Sequence, residues 1–308
     1  MKIPRWNPEE REPVTISEWI RWGHRKIRHL DPQGQESRAL MTALLGTPTA
    51  SWTRGEDSLP VDQAEIFREW VERRNRREPF HLIVGEVPFY GRSFYVAPGV
   101  LIPRPETEHL VALAIDHLSR EPRSGEPVRI LDLGSGTGII ALTLLMELPE
   151  LSGVAVEKDP RALRSLLENR RRFSLEGRLA VIQGHWGTML DDRPIFDCIL
   201  SNPPYIPTPA IRELDPEIRD YEPHLALDGG PDGLGCYREI LSEAPALLKG
   251  GGLLAVEIGA DQADSFRRSG AEWMRPMKND QERWTAWPTV LQDVSGHNRI
   301  VYWKKEGA

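Results

Sequence analysis

Cysteine is scarce in this chain, with two among 308 residues, Cys198 and Cys236. Two thiols cannot build a disulfide framework, and their spacing is not that of a metal-ligating pair. Cys198 lies inside an apolar run and reads as a small core residue. Long hydrophobic runs are missing as well. The longest mostly apolar stretch, Gly138 to Leu148, is about half of the ~20 residues that a membrane-spanning helix requires. The opening "MKIPRWNPEEREP" carries no apolar signal segment. A reducing cytoplasm, with no membrane attachment, is the expected setting. Also lacking is a surplus of positive charge. The net charge of −7 argues against a chain that coats nucleic acid, a task that needs excess Lys and Arg to neutralise phosphates. The balance is uneven. Residues 1–78 hold 14 Lys/Arg against 13 Asp/Glu, and the rest 25 against 33. A basic knot at Arg73, Arg74, Arg76 and Arg77 is either a solvated helix face or a contact for a nucleic acid or an acidic partner.

A chain of this length can bury a sizeable core, as one large domain plus a smaller one. Residues 1–78 read as a small helical domain. Apolar positions recur at helical spacing in "ISEWIRWGHRKI" and "AEIFREWVERR", broken by Gly46 and "TPTASWTRGEDSLP". Trp19, Trp22 and Trp70 are its expected core. Residues 79–103 switch to short β-prone pieces around Gly85, Pro88 and Gly91, a hairpin-like connector. Pro103 and Pro105 punctuate entry into a helix near Glu106, and residues 104–308 form the large domain. From Val128 strands and helices alternate: "VRILDLG", "TGIIALTLLMEL", "SGVAVEK", "PRALRSLLENRRRF", "LAVIQG", "FDCILS", "CYREILSEAPALL", "GLLAVEIG", with "NRIVYWKK" as a last strand. That alternation means crossover connections and a mostly parallel α/β sheet covered on both faces. Such sheets bind ligands beyond the carboxyl ends of their strands.

Two strand ends carry chemistry. After the first, Gly134, Ser135, Gly136, Thr137 and Gly138 form a G-x-G-x-G turn into a helix. Glycines there admit positive φ and close backbone approach, while the helix presents unpaired N–H groups. The turn is either a ligand cradle or a structural tight turn. After the second strand comes Glu157, either a surface acid beside Lys158 or an acceptor for a ribose diol, at roughly 1.5–3 kcal/mol per charge-assisted bond. Together they indicate an adenosine-type ligand and leave NAD and S-adenosylmethionine both open. The run "FDCILSNPPYIP" then ends a core strand on Asn202, Pro203, Pro204 and Tyr205. The prolines fix φ and remove donors but keep carbonyl acceptors. Asn202 adds a side-chain acceptor, and Tyr205 a flat face for a planar group. A rigid edge of acceptors suits a planar –NH₂. Hydride transfer has no use for it, whereas methyl transfer to a delocalised nitrogen does, because positive charge builds there. A sulfonium donor supplies its own leaving group, so no metal is expected.

"SNPPYI" with "LDLGSGTG" resembles the class I methyltransferases of planar –NH₂ groups. "VLIPRPETE", "YEPHLALDGGPDGLGCYREI", "AVEIG" and "DVSGHNRIV" narrow the resemblance to the protein-(glutamine-N5) methyltransferases of peptide chain release factors, the PrmC/HemK family. It spans about residues 79–303. The N-terminal part matches loosely, through "LLG" and "ERRNRREPF".

The resemblance implies a Rossmann-like domain with an antiparallel last strand, preceded by a helical domain. That helical domain is expected to recognise the substrate, because a flexible Gly-Gly-Gln loop alone offers little surface for specificity. It implies S-adenosylmethionine as donor, bound by Gly134 to Gly138 (Ser135 and Thr137 included), Glu157, Trp186 and Asn202. The acceptor is the glutamine of a Gly-Gly-Gln loop, held by Asn202, Pro203, Pro204 and Tyr205, with Asn202 and Pro203 catalytic. It also implies that "IPRPETE" packs over the donor site and that "EPHLALDGGPDG" forms a lid. Otherwise these two are helix-entry punctuation and a surface loop. The family commonly has an acid before Trp186 and an aromatic after it, where this chain has His185 and Gly187. The expected partner is a release factor, with no direct nucleic-acid binding, and the chain is expected to be a monomer. Alternatives are glutamine methylation of a ribosomal protein, adenine-N6 methylation of nucleic acid, and a donor-binding regulatory protein.

Overall fold

The computed structural model describes residues 12–46, 57–120, 127–274, 284 and 288–306. Most of "TPTASWTRGEDSLP" and of the opening segment lies outside the described residues. The chain divides into two compact units, Met1–Gly85 and Glu86–Ala308.

The first unit is helical: α1 (Ile16–Ile27), α2 (Gln35–Leu45), α3 (Val61–Asn75) and the short α4 (Phe80–Val84). A capping box starts α1, in which Thr15 Oγ1 accepts from Glu18 N and the Glu18 carboxylate accepts from Thr15 N. Ile16, Trp19, Gly23 and Ile27 recur on one face and are buried. They pack on Leu40 and Met41 of α2 and on Phe67 and Val71 of α3. Trp19 meets Trp22 and Phe67 edge-on, at centroid distances of 5.4 and 6.2 Å. Trp22 and Trp70 cover this cluster from its rim. Half of the basic knot is internal structure. Arg73 holds Glu78 through bonds of 2.9 and 2.6 Å, and the buried Arg74 pairs with Glu36 of α2 at 2.5 Å.

The second unit opens with a hairpin of β1 (Glu86–Phe89) and β2 (Arg92–Tyr95). A 3-10 turn at Pro105–Thr107 leads into α5 (Glu108–Arg120). Then follow β3 (Arg129–Leu133), α6 (Ile139–Glu147), β4 (Ser152–Glu157), α7 (Pro160–Arg172), β5 (Leu179–Gln183) and β6 (Phe196–Ser201). The chain continues through α8 (Pro216–Arg219), α9 (His224–Leu227), α10 (Gly235–Leu247), β7 (Leu248–Glu257), α11 (Ala263–Trp273), β8 (Thr289–Gln292) and β9 (Asn298–Lys304).

The sheet order is β5-β4-β3-β6-β7-β9-β8. Pairing is parallel from β5 to β7, while β9 runs antiparallel to β7, and β8 to β9. The mostly parallel α/β sheet with an antiparallel last strand is therefore observed. Four-residue, part-exposed β8 is an addition, too short to stand out by periodicity. Cys198 is fully buried in β6, and burial pushes its thiol pKa far up.

Strand order reverses at β3, which has β4 on one side and β6 on the other. Register pairs Leu133 with Ser201, so β3 and β6 end side by side. A crevice beyond those two ends is the place where such sheets bind ligands.

Candidate active site

Beyond β3 the chain turns through Gly134, Gly136 and Gly138, all at positive φ. Glu157, at the end of β4, accepts from Gly136 N and from Asp159 N, each at 2.7 Å. Burial raises its pKa against these two bonds. Each carboxylate oxygen keeps a further lone pair for a ligand. Gly134 has a specific reason to be glycine. Its φ is +69°, and a Cβ would stand 2.9 Å from Trp186 Cζ3. The ring packs onto bare backbone.

Gly134, Gly136 and Glu157 line a cavity of about 230 Å³ that also includes His185, Trp186 and Asn202. Ser135, Thr137 and Gly138 are not in that lining, and a Cβ at Gly138 would meet Leu166 and Leu142 at 2.9 and 3.0 Å. The cavity's ionisable lining is mostly acidic, with Glu157, Asp159, Asp228 and Glu239 against Lys158. Such a wall favours a cationic ligand and repels the pyrophosphate of a dinucleotide.

Asn202 follows β6 directly and lines this cavity and a second one of about 130 Å³. Pro203, Tyr205 and Arg104 line the second cavity only. Asn202 thus stands in the wall common to both. Its Nδ2 donates to Thr107 Oγ1 at 3.0 Å. Among the described residues the Pro203 carbonyl accepts no hydrogen bond. The Tyr205 carbonyl is anchored by Gln262 Nε2 at 3.0 Å. Gly233 permits that anchor, since a Cβ there would meet Tyr205 O at 2.5 Å. Ile206 N donates to Leu227 O and Gly229 N to Ile206 O, which ties the exit of the tetrapeptide to the "ALDGG" segment. Pro223, Leu225 and Asp228 from this loop line the larger cavity, Leu227 lines the smaller, and Ala226 lines both. From "IPRPETE", Arg104 pairs with the buried Glu222 at 2.6 Å.

Several residues here escaped sequence reasoning. Glu239 of α10 accepts from Trp186 Nε1 at 2.7 Å and lies 2.7 Å from His185 Nε2. Neither neighbour of Trp186 is an acid, and a helix 53 residues on supplies one. Gly187 N donates to Glu243 of the same helix at 2.8 Å. A Cβ at Gly187 would meet Glu243 and Leu247 at 3.1 and 3.2 Å, which leaves little room for an aromatic side chain. Asp132 lies fully buried in β3. Desolvation pushes its pKa up to about 7 against one bond from Ala141 N. Glu257 ends β7 and accepts from Thr107 Oγ1 at 2.7 Å. The signal for both acids was present: a carboxylate at or next to the end of an otherwise apolar run.

A seven-stranded sheet in this order, with a glycine turn after its first strand and an acid after its second, is the class I methyltransferase fold. The solved hMettl16 catalytic domain in complex with the MAT2A 3'UTR hairpin 6 shares it, with a TM-score of 0.53 at 15% identity over 79% of this chain and 82% of that one. Residues 110–213 match the methyltransferase small domain, and residues 18–85 the PrmC N-terminal domain. The release factor glutamine methyltransferase of Caulobacter vibrioides is 38% identical over 277 residues, 88% of this chain and 89% of its own. That of Geobacter sulfurreducens is 38% identical over 269 residues, covering 85% and 92%. The relative of the same name from Nitratidesulfovibrio vulgaris is 42% identical over 248 residues, covering 79% and 78%. The chain belongs to the release factor glutamine methyltransferase family.

Proposed function

We propose that this chain transfers a methyl group from S-adenosylmethionine to the side-chain nitrogen (N5) of the glutamine in the Gly-Gly-Gln loop of a peptide chain release factor. The observation that carries the reading is the place of Asn202 in the wall shared by two cavities, next to Pro203, which lines the smaller one. The residues present suit the donor. Glu157 meets a ribose diol, Trp186 offers an adenine-sized face, the glycine turn leaves room for the amino-acid end, and the acidic lining suits a ligand of net positive charge. When bound, this donor supplies a methyl on a sulfonium whose sulfur departs with the bonding pair.

The chain's own residues then act on the acceptor nitrogen. Asn202 Oδ1 and Pro203 O accept its two N–H groups and turn its lone pair toward the larger cavity. They also stabilise the positive charge that grows there, by a few kcal/mol. Tyr205 flanks the planar amide, and Pro204 keeps the edge stiff. Holding the reactants in line supplies much of the remaining rate. Residues 1–78 recognise the acceptor protein, because a Gly-Gly-Gln loop alone offers little surface. The setting is the cytoplasm, and the working form a monomer. Among the described residues no helix is long and apolar enough to cross a membrane.

The test is mass spectrometry of a release factor incubated with the purified chain and donor. One added methyl is expected on the loop peptide, and none on a release factor whose loop glutamine is replaced. Equal labelling of both overturns the reading. Asn202→Ala should lower kcat by roughly 10²–10³-fold, with donor affinity nearly kept. A chain lacking residues 1–78 should lose more activity on the whole release factor than on the free loop peptide.

A further inference from the structure

Asn202 can serve an incoming N–H only if its oxygen, not its nitrogen, faces the cavities. The two ends of a carboxamide are alike in shape, so its neighbours decide which end points where. Asn202 Nδ2 donates to Thr107 Oγ1 at 3.0 Å, and Thr107 Oγ1 donates to Glu257 Oε2 at 2.7 Å. Thr107 is fully buried and Glu257 is 3% exposed, so water is not an alternative partner. A hydroxyl has one hydrogen to give. Once the carboxylate takes it, only lone pairs remain for Asn202, and these select Nδ2. The far end of the chain sets the near end.

We propose that Thr107 and Glu257 are positioning residues for the methyl transfer: the carboxylate, acting through the hydroxyl, holds Asn202 with Oδ1 toward the acceptor nitrogen. This rests on the function proposed above and deepens it by naming what orients its key residue. Three separate elements converge to build the relay: the turn before α5, the end of β7 and the residue after β6. Tyr237 of α10 steadies it by donating to the Glu257 carbonyl at 2.9 Å. Glu106 and Arg299 face the carboxyl from the turn and from β9, and Tyr205 and Tyr237 approach it with neutral hydroxyls.

Burial, with lesser help from Glu106, pushes Glu257 up to about 7, against the bond from Thr107 and the charge of Arg299. Its protonation therefore changes near neutrality. A protonated Glu257 donates to Thr107, whose own hydrogen then points at Asn202. The amide turns over and presents Nδ2 to the cavities, and the acceptor is gone. Turnover should fall as pH drops below about 7.

The experiment measures steady-state kinetics on a release factor and calorimetric binding of S-adenosylhomocysteine, for wild type, Thr107→Ser, Thr107→Val and Glu257→Gln, across neutral pH. Thr107→Val should lower kcat roughly 30-fold or more, with KM and nucleoside affinity within about threefold. Thr107→Ser keeps the hydroxyl and should recover most of the rate. Glu257→Gln, which cannot ionise, should lose the acid limb of the profile. Wild-type turnover in Thr107→Val, a serine variant no better than valine, or an acid limb that survives Glu257→Gln overturns the proposal. If the valine variant fails to fold, seen as lost nucleoside binding, the serine and glutamine variants decide. A wild type that methylates no release factor overturns the proposed function and this proposal together. Normal wild-type turnover with insensitive variants overturns this proposal alone.

Discussion

Gly134 shows how much one missing side chain can control. Its backbone sits at φ +69°, and its absent Cβ leaves the space that Trp186 Cζ3 approaches. The ring cannot retreat cheaply, because it is 7% exposed, its own φ is +45° and its nitrogen is held by Glu239. Gly134→Ala should therefore cost about 1–3 kcal/mol of stability, from left-handed strain plus overpacking. Nucleoside affinity should fall with it, since the strain lies in the cavity proposed to hold the donor. Denaturant unfolding and calorimetry check both, and an alanine variant with wild-type values would refute the packing argument. At this scale the sequence was informative where chemistry and spacing coincide. Asn202, Glu157, Gly134 and Gly136 stood out because they lie at strand ends in residue types suited to ligand contact, and the structure brings them to one cavity. Thr107 and Glu257 stood inside quoted motifs without a role. Their partners lie 95 and 150 positions away, and nothing local marks such a contact.

At the scale of elements, the alternation of strands and helices gave the sheet, since period and crossover length are local properties. What lay beyond it was how one helix completes another element's site. The run His185, Trp186 and Gly187 has no carboxylate within it, and α10 delivers two to it. Glu239 reaches His185 and Trp186, and Glu243 reaches the Gly187 amide. Helical spacing puts Glu239 and Glu243 one turn apart on one face, so a single rigid element fixes the loop at two points. Glu239→Ala should leave the buried indole N–H without its partner and loosen the Trp186 wall. Nucleoside binding should weaken roughly tenfold, about 1.4 kcal/mol, with kcat at saturating donor changing far less. Calorimetry with S-adenosylhomocysteine reads this directly. An unchanged dissociation constant would mean that Glu239 does not support the adenine wall.

Across the whole molecule, the site is set against the stability of the sheet that carries it. Asp132, next to last in β3, and Glu257, last in β7, have fully or nearly buried carboxyls, both pushed up to about 7, first by desolvation. Unfolded, they titrate near 3.8 and 4.5. Between those values and 7 the native state holds more protons than the unfolded chain, so unfolding releases protons and stability falls as pH rises. The contribution is complete below about pH 4 and lost by the time pH passes about 7, with a limiting slope of roughly 1.4 kcal/mol per pH unit for each group. Glu157 and Glu222, also raised by burial, act in the same direction. Asp293 works oppositely, held down to about 2 chiefly by its bond from Arg299, so its influence is confined to the far acid range. Urea midpoints should accordingly decline from mildly acid to neutral pH, and the decline should flatten in Asp132→Asn combined with Glu257→Gln. A midpoint that stays level or rises over that interval contradicts the assignment. The same two acids that weaken the fold at neutral pH occupy the strand ends flanking Asn202. Neutral conditions thus give the least stable sheet together with the charge on Glu257 that turns Asn202 Oδ1 toward the acceptor.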